Sequence, residues 1–581
     1  MDNFPTRQHR KDRSYLLSII WIMTLSILCI SLGFAFWYHS KQFTELKPNV
    51  ERYTAEYQLM DNPVFFNGEY FPVSARGAQE TLKLPLDLVQ QWIDPSLKYE
   101  QESESIIITT LNKVFHFTSN QLNATVNEQP FTLRFPIEKI DGIMYIPIEP
   151  LVQIYSIIHR ESDRNGAVML FKQGDILQWG KALVLTPQPI RTSYTDQFPI
   201  ISDLLPNERV MIINEEFGWY QIQQTTGTIG YVPKDHIELD EVELIPLEKQ
   251  EESYIPWKPL GTKINVAWEY FSKKSPDTTQ IPDMPGLNVI SPTWFSLADG
   301  EGNLNNLGDS VYVKWAKSRK YEIWALFSNS FDPELTSEAL STYARRMNMI
   351  KQLLSYAQLY ELDGINLDFE NIYLKDKQNL VQFVRELTPF MHEQGLVVSM
   401  DVTVKSTSEQ WSLFYDRPAL IEVIDYMIIM AYDEHWASSP VAGSVASLAW
   451  VENSLKRLLN EDQLPPSKLL LGVPFYTRIW TEQQVDGKIK VSSKAVGMDS
   501  IDKLMKDKSL TPVYDSATGQ QYMEYTEGSK MIKIWMEDEV SLTARIQLIH
   551  KYQLAGIASW RRGFEKPMIW SVIQQELESV L

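Results

Sequence analysis

From residue 257 to 578 the chain alternates between short apolar runs and longer segments of helical periodicity. Eight runs read as strands: Ile264–Trp268, Asn288–Trp294, Glu322–Phe327, Gly364–Glu370, Val397–Val402, Tyr426–Tyr432, Leu469–Phe475 and Gly556–Trp560. Segments long enough for helices separate them, which predicts a (β/α)8 barrel. The fourth run, DGINLDFE (363–370), differs from the rest. Side chains alternate between the faces of a strand. Ile365, Leu367 and Phe369 therefore share one face, and Asn366, Asp368 and Glu370 the other. An apolar face packs on helices; a face of acids and amides suits a site. Between the last two strands the chain is longer than one helix needs, and a small strand-rich insertion is expected there.

The first 256 residues have other patterns. Tyr15–Tyr38 is an uncharged, apolar run of 24 residues, and about 20 such residues cross a bilayer as a helix. Arg7, Arg10, Lys11 and Arg13 precede it, so residues 1–14 are expected to be cytoplasmic and the bulk of the chain outside. The alternative is a cleaved signal peptide read at Gly33 and Ala35. Residues 57–173 hold a weak internal repeat. Leu84-Pro85-Leu86-Asp87-Leu88-Val89 is echoed by Ile146-Pro147-Ile148-Glu149-Pro150-Leu151-Val152, each unit leading into a short helix. Residues 178–240 read as all-β. The acidic, Pro-bounded stretch 241–256 suits a linker.

Composition narrows the classes. A hydrophobic content of 44% with 22% charged residues describes a globular protein. The net charge of −20 argues against a nucleic-acid partner, because phosphate binding needs basic patches. The single cysteine, Cys29, permits no intrachain disulfide, and the eight histidines form no metal-ligand spacing, so no metal or cofactor is expected.

In such barrels the working groups sit at the carboxyl ends of the strands. Glu370 and Asp368 end strand four, Tyr432 and Asp433 end strand six, and Trp560 ends strand eight. Trp268, Trp294 and Phe327 end the first three. Carboxylates perform glycosidic chemistry, and aromatic rings stack on sugars.

DGINLDFE, MAYD (430–433), GVPFYTR (472–478) and a last strand ending in Trp together resemble glycoside hydrolase family 18, over about 257–578. The anchored layout is similar to its spore-germination and cell-wall N-acetylglucosaminidase branch. Residues 57–173 resemble a copper amine oxidase N-terminal-like module, without copper ligands, and residues 178–240 an SH3b-like domain that could contact the cell wall. The resemblance implies that Glu370 is the general acid and that Asp368 orients the substrate's 2-acetamido group. It implies that Tyr432 bonds the acetamido oxygen, Asp433 contacts the sugar and Trp560 floors the subsite. Asn366, Trp268, Tyr476 and Arg478 are further candidate substrate contacts. The family's pattern has an acid where Asn366 stands. An amide cannot ionise, so Asp368 is expected to ionise more readily than in the usual pattern. Asp363 is read as structural, and His435, which follows MAYD, as a surface or loop histidine rather than a catalytic base. The expected substrate is a β-1,4-linked glycan containing N-acetylglucosamine, peptidoglycan ahead of chitin. A non-catalytic glycan-binding protein is the rival from another class.

Overall fold

A computed structural model describes residues 21, 23–35, 37, 48–247, 254–272 and 275–579. The expected tail, 1–14, and residues 15–20, 22, 36 and 38 of the expected membrane span lie outside the described residues. The described part of that span is helical, with exposed apolar side chains such as Trp21, Ile27 and Phe34. Among the described residues, no helix is long and apolar enough to cross a membrane.

The chain divides into two compact units, residues 1–95 with 135–250, and residues 96–134 with 251–581. In the first, the two copies of the repeat pair with one another. Strand Lys83–Pro85 lies antiparallel to Ile143–Pro147, with Leu84 opposite Ile146. Each strand runs directly into a helix, Leu86–Leu88 and Ile148–Tyr155. Residues 176–244 form a seven-stranded antiparallel sheet. Tyr220, Ile222 and Val232 lie in its core, so these side chains fill the fold.

The second unit contains the barrel. Its strands are β1 (Ile264–Glu269), β2 (Val289–Pro292), β3 (Glu322–Ser328), β4 (Gly364–Asp368), β5 (Val397–Thr403), β6 (Tyr426–Met430), β7 (Leu469–Pro474) and β8 (Gly556–Trp560). Every consecutive pair is parallel, and β8 pairs back onto β1, closing the ring. Alternation sorts the side chains as expected. Ile365, Leu367 and Phe369 join the outer core with the helices, while Trp268, Trp324, Leu326, Val397 and Ile428 pack inside the ring. Gly364 opens β4 because the backbone is crowded there: a Cβ would come within 2.8 Å of the Val397 carbonyl oxygen and of Trp324.

The expected insertion is present. Residues 476–535 form a five-stranded sheet with the helix Met498–Lys508, between β7 and the helix Glu539–Lys551.

A second feature was not visible in the sequence. Residues 98–132, which fall inside the 57–173 segment, form a five-stranded antiparallel meander that belongs to the barrel's unit. Glu100 from this meander reaches Arg346 on the helix Tyr343–Leu359 (2.6 Å). Arg346 also grips Glu386 on the helix Lys377–Glu393 through two bonds of 2.7 Å. The ring of His116 stacks on Tyr343, with centroids 4.2 Å apart.

Candidate active site

The acidic motif lies where strand parity placed it. Asn366 and Asp368 project into the ring from β4, and Glu370 stands two residues beyond the strand's end. Two side chains fix the backbone at that point. Asn329, buried just past β3, donates from Nδ2 to the Glu370 carbonyl oxygen (2.7 Å), and its Oδ1 accepts from the Glu370 N–H (3.0 Å). Thr336 holds the same amide, Oγ1 accepting from Nδ2 at 2.9 Å. Tyr415 donates to the Phe369 carbonyl oxygen (2.8 Å). The glutamate is thus presented by a clamped turn, which suits a group that must meet a substrate in one orientation.

Electrostatics make Glu370 an acid. Its burial, reinforced by the charges of Asp368 and Asp433, pushes its carboxyl up to about 8. It therefore holds its proton at neutral pH, as a proton donor must. Asp368 is pushed well above the usual carboxylate range, first by burial and then by Asp401. Its Oδ1 is buried without a protein partner. A buried acceptor left open costs stability unless something outside the protein fills it, and a substrate N–H would.

The expectation that Asp368 loses its acidic neighbour is overturned. Removing the acid at position 366 does not isolate Asp368, because Asp401 on β5 stands in register with it. Asp401 is itself raised well above the usual range, chiefly by its burial.

Asn366 and Trp268 are also placed differently from expectation. Asn366 is fully buried, and its amide is spent within the protein. Oδ1 accepts from Trp268 Nε1 (3.0 Å) and Ser291 Oγ (3.1 Å), and Nδ2 donates to Ser399 Oγ (3.1 Å) and Asp401 Oδ1 (2.9 Å). Trp268 is 1% exposed and meets the half-buried Trp560 edge to face, at 5.8 Å. Neither has a free polar group or ring face for a sugar. They hold the floor of the site together, and Trp560 remains the ring with exposed surface.

Past β6, Tyr432 is driven well above the usual phenol range by burial and by the neighbouring acids Asp401, Asp368 and Glu370. Asp433 adopts a left-handed backbone (φ 60°) and keeps 45% of its side chain exposed. Tyr476 donates to it at 2.6 Å and Arg478 at 3.0 Å. Tyr476 and Arg478 are themselves buried; the Tyr476 hydroxyl is committed to Asp433, while Arg478 gives Nη2 to Asp433 and keeps a buried Nε with no protein partner. Asp363 accepts from Lys317 Nζ and the Ile323 N–H, and His435 Nδ1 bonds the Ser444 carbonyl (2.8 Å). Asp363 is structural, as read from the sequence, and His435 lies in the loop after β6.

Sequence reasoning missed Asn329, Tyr415 and Asp401. Asp401 alone left a signal: Val397, Ser399 and Asp401 alternate with Val398, Met400 and Val402. The same parity argument that picked out Asp368 would have put Asp401 inside the ring.

A closed parallel barrel that holds a half-buried, proton-holding glutamic acid past its fourth strand, beside a second carboxyl, fits a glycoside hydrolase. Residues 296–565 match the model of the glycosyl hydrolases family 18, and the barrel is a family 18 domain. The chain is 25% identical over 303 residues to the uncharacterized glycosylase YvbX of Bacillus subtilis, covering 50% of this chain and 84% of that protein. It is 24% identical over 259 residues to the cortical fragment-lytic enzyme of the same organism, covering 44% of this chain and 59% of that protein. The solved spore cortex-lytic enzyme SleL of Bacillus megaterium superposes with a TM-score of 0.49 at 19% identity, covering 59% of this chain and 78% of that one.

Proposed function

We propose that this protein is a membrane-anchored, outward-facing glycosidase that cuts β-1,4 bonds next to N-acetylglucosamine in peptidoglycan, with retention. The observation that carries the chemistry is Glu370, a half-buried carboxyl raised to about 8 and clamped two residues past β4. In the reaction, Glu370 protonates the leaving glycosidic oxygen. The substrate's own acetamido oxygen attacks the anomeric carbon, giving an oxazolinium-like intermediate; family 18 is an exception to the two-carboxylate rule. Asp368, with its open Oδ1, accepts the acetamido N–H and offsets the positive charge that develops. Tyr432 bonds the acetamido oxygen, Asp433 meets the neighbouring sugar and Trp560 lies under the distorted ring. Glu370 then removes a proton from the incoming water.

Peptidoglycan is supported by the relative named as a cortical fragment-lytic enzyme and by the apolar run Tyr15–Tyr38, which would tether the catalytic unit outside the membrane. The test incubates the full chain and a Glu370→Gln variant with purified peptidoglycan and with chitooligosaccharides, and counts new reducing ends. Release from peptidoglycan by wild type alone is expected. Cleavage confined to chitooligosaccharides would move the substrate to chitin-like glycans. No release from either would refute the enzymatic reading. Retention of the full chain in the membrane fraction, and its loss after deletion of residues 1–38, tests the anchor.

A further inference from the structure

The lumen of the barrel carries a carboxyl that the reaction described above does not use. Asp401 is 1% exposed and sits on β5, in register with Asp368 on β4. Residues in register on parallel strands leave the sheet on the same face at the same level. Two carboxyls therefore face one another inside the ring. One layer deeper, Asn366 ties the arrangement together by donating to Asp401 Oδ1 at 2.9 Å, while Trp268 and Ser291 hold its other end. Among the described residues, neither Asp368 nor Asp401 forms an ion pair with Lys, Arg or His. Two buried carboxyls without a cation cannot both ionise.

We propose that Asp401 is a positioning residue that supplies the second ionisable carboxyl of the site, a role moved from position 366 on strand four to strand five. The proposal rests on the glycosidase reading. The pair Asp368–Asp401 holds one proton and one negative charge. When the substrate's acetamido N–H donates to Asp368, the shared proton lies on Asp401. Asp368 then carries the charge that faces the oxazolinium-like cation. When the intermediate is hydrolysed the proton is free to return, and the pair's net charge is unchanged throughout. Asp401 does not touch the sugar; it acts through Asp368. The groups around it come from several elements. Asp368 and Glu370 belong to β4 and its loop, Trp268 to β1 and Tyr432 to the end of β6. Tyr415, with Arg417 over its ring, follows β5.

The test uses the full chain in four forms: wild type, Asp401→Asn, the exchange Asn366→Asp with Asp401→Asn, and Glu370→Gln. Each is assayed across pH on purified peptidoglycan and on a chitooligosaccharide, with a thermal unfolding midpoint for each. Asp401→Asn keeps an acceptor for Asn366 but cannot ionise. Its kcat is expected to fall at least about tenfold with KM held within about twofold. Its alkaline limb should move to higher pH, because the pair's single negative charge is then fixed on Asp368, the acid that raises Glu370. The exchange variant, which restores the acid to strand four, should recover most of the kcat and the limb. An Asp401→Asn variant with wild-type kcat and pH profile would overturn the proposal. So would a folded exchange variant no better than Asp401→Asn. Should Asp401→Asn fail to fold, the exchange variant decides: wild-type-like activity supports the proposal, and inactivity or failure to fold overturns it. If Glu370→Gln is inactive while Asp401→Asn is normal, only this inference falls. If wild type cleaves neither substrate, the glycosidase reading falls and takes this inference with it.

Discussion

Two of the buried carboxyl clusters in the barrel unit are built to opposite ends. On the outer side, Glu100 and Glu386 close on Arg346, all three buried. Each acid has further donors: the Tyr343 N–H bonds Glu100 (3.0 Å) and Gln382 bonds Glu386 (2.8 Å). Inside the ring Asp368 and Asp401 are buried, with the half-buried Glu370 just past the end of β4; there is no cation among the three, and Asp368 keeps an oxygen with no donor. Both clusters are built of carboxyls, and Asp368 and Asp401 are as buried as Glu100 and Glu386. What differs is compensation. A buried acid whose lone pairs are filled and whose charge is matched serves the fold. A buried acid left short of both keeps its proton and waits for a ligand.

Substitutions should separate the two clusters. The largest effect is expected for Glu370→Gln, which removes the proton donor. Its kcat should fall about 10³-fold, with the unfolding midpoint unchanged or raised, since an uncompensated acid has gone. Arg346→Met should do the reverse. Stranding Glu100 and Glu386 without their cation costs about 3–5 kcal/mol of stability, readable by chemical denaturation, while the folded fraction keeps its kcat. Asn329→Ala releases both backbone groups of Glu370, and kcat should drop about 10- to 100-fold with little change in KM. The smallest effect is expected for Arg478→Gln. Its partner Asp433 is 45% exposed and already held by Tyr476, so only a few-fold change in KM should appear in initial-rate assays.

The contrast also explains what could be read from the chain. Alternation along DGINLDFE was enough to choose the chemical face of β4, because a period of two is local and survives in the fold. The eight strands were legible as short apolar runs spaced by helical segments, and the insertion after β7 from the length and strand-like runs of the chain there. Non-local partnerships were not legible. Asn329 clamps Glu370 across 41 residues and Asp401 meets Asn366 across 35. Arg346 finds Glu100 across 246 residues, and no periodicity announces a meander from residue 98 docking on barrel helices. The substrate roles first given to Asn366 and Trp268 failed on the same ground. Parity says which way a side chain points, but not whether another strand has already taken its hydrogen bonds.

The uncompensated cluster has a signature in pH. Glu370 works in its protonated form, so activity should be full below its pKa and fall as pH rises through about 8. The direct measurement is the titration of the Glu370 side-chain carboxyl itself. It would be followed by carboxyl-selective 13C NMR and assigned by comparison with Glu370→Gln. A midpoint near 8, matching the alkaline limb of kcat/KM, is the predicted result. A midpoint near the ordinary value of 4.5 would contradict it and remove Glu370 from the role of acid.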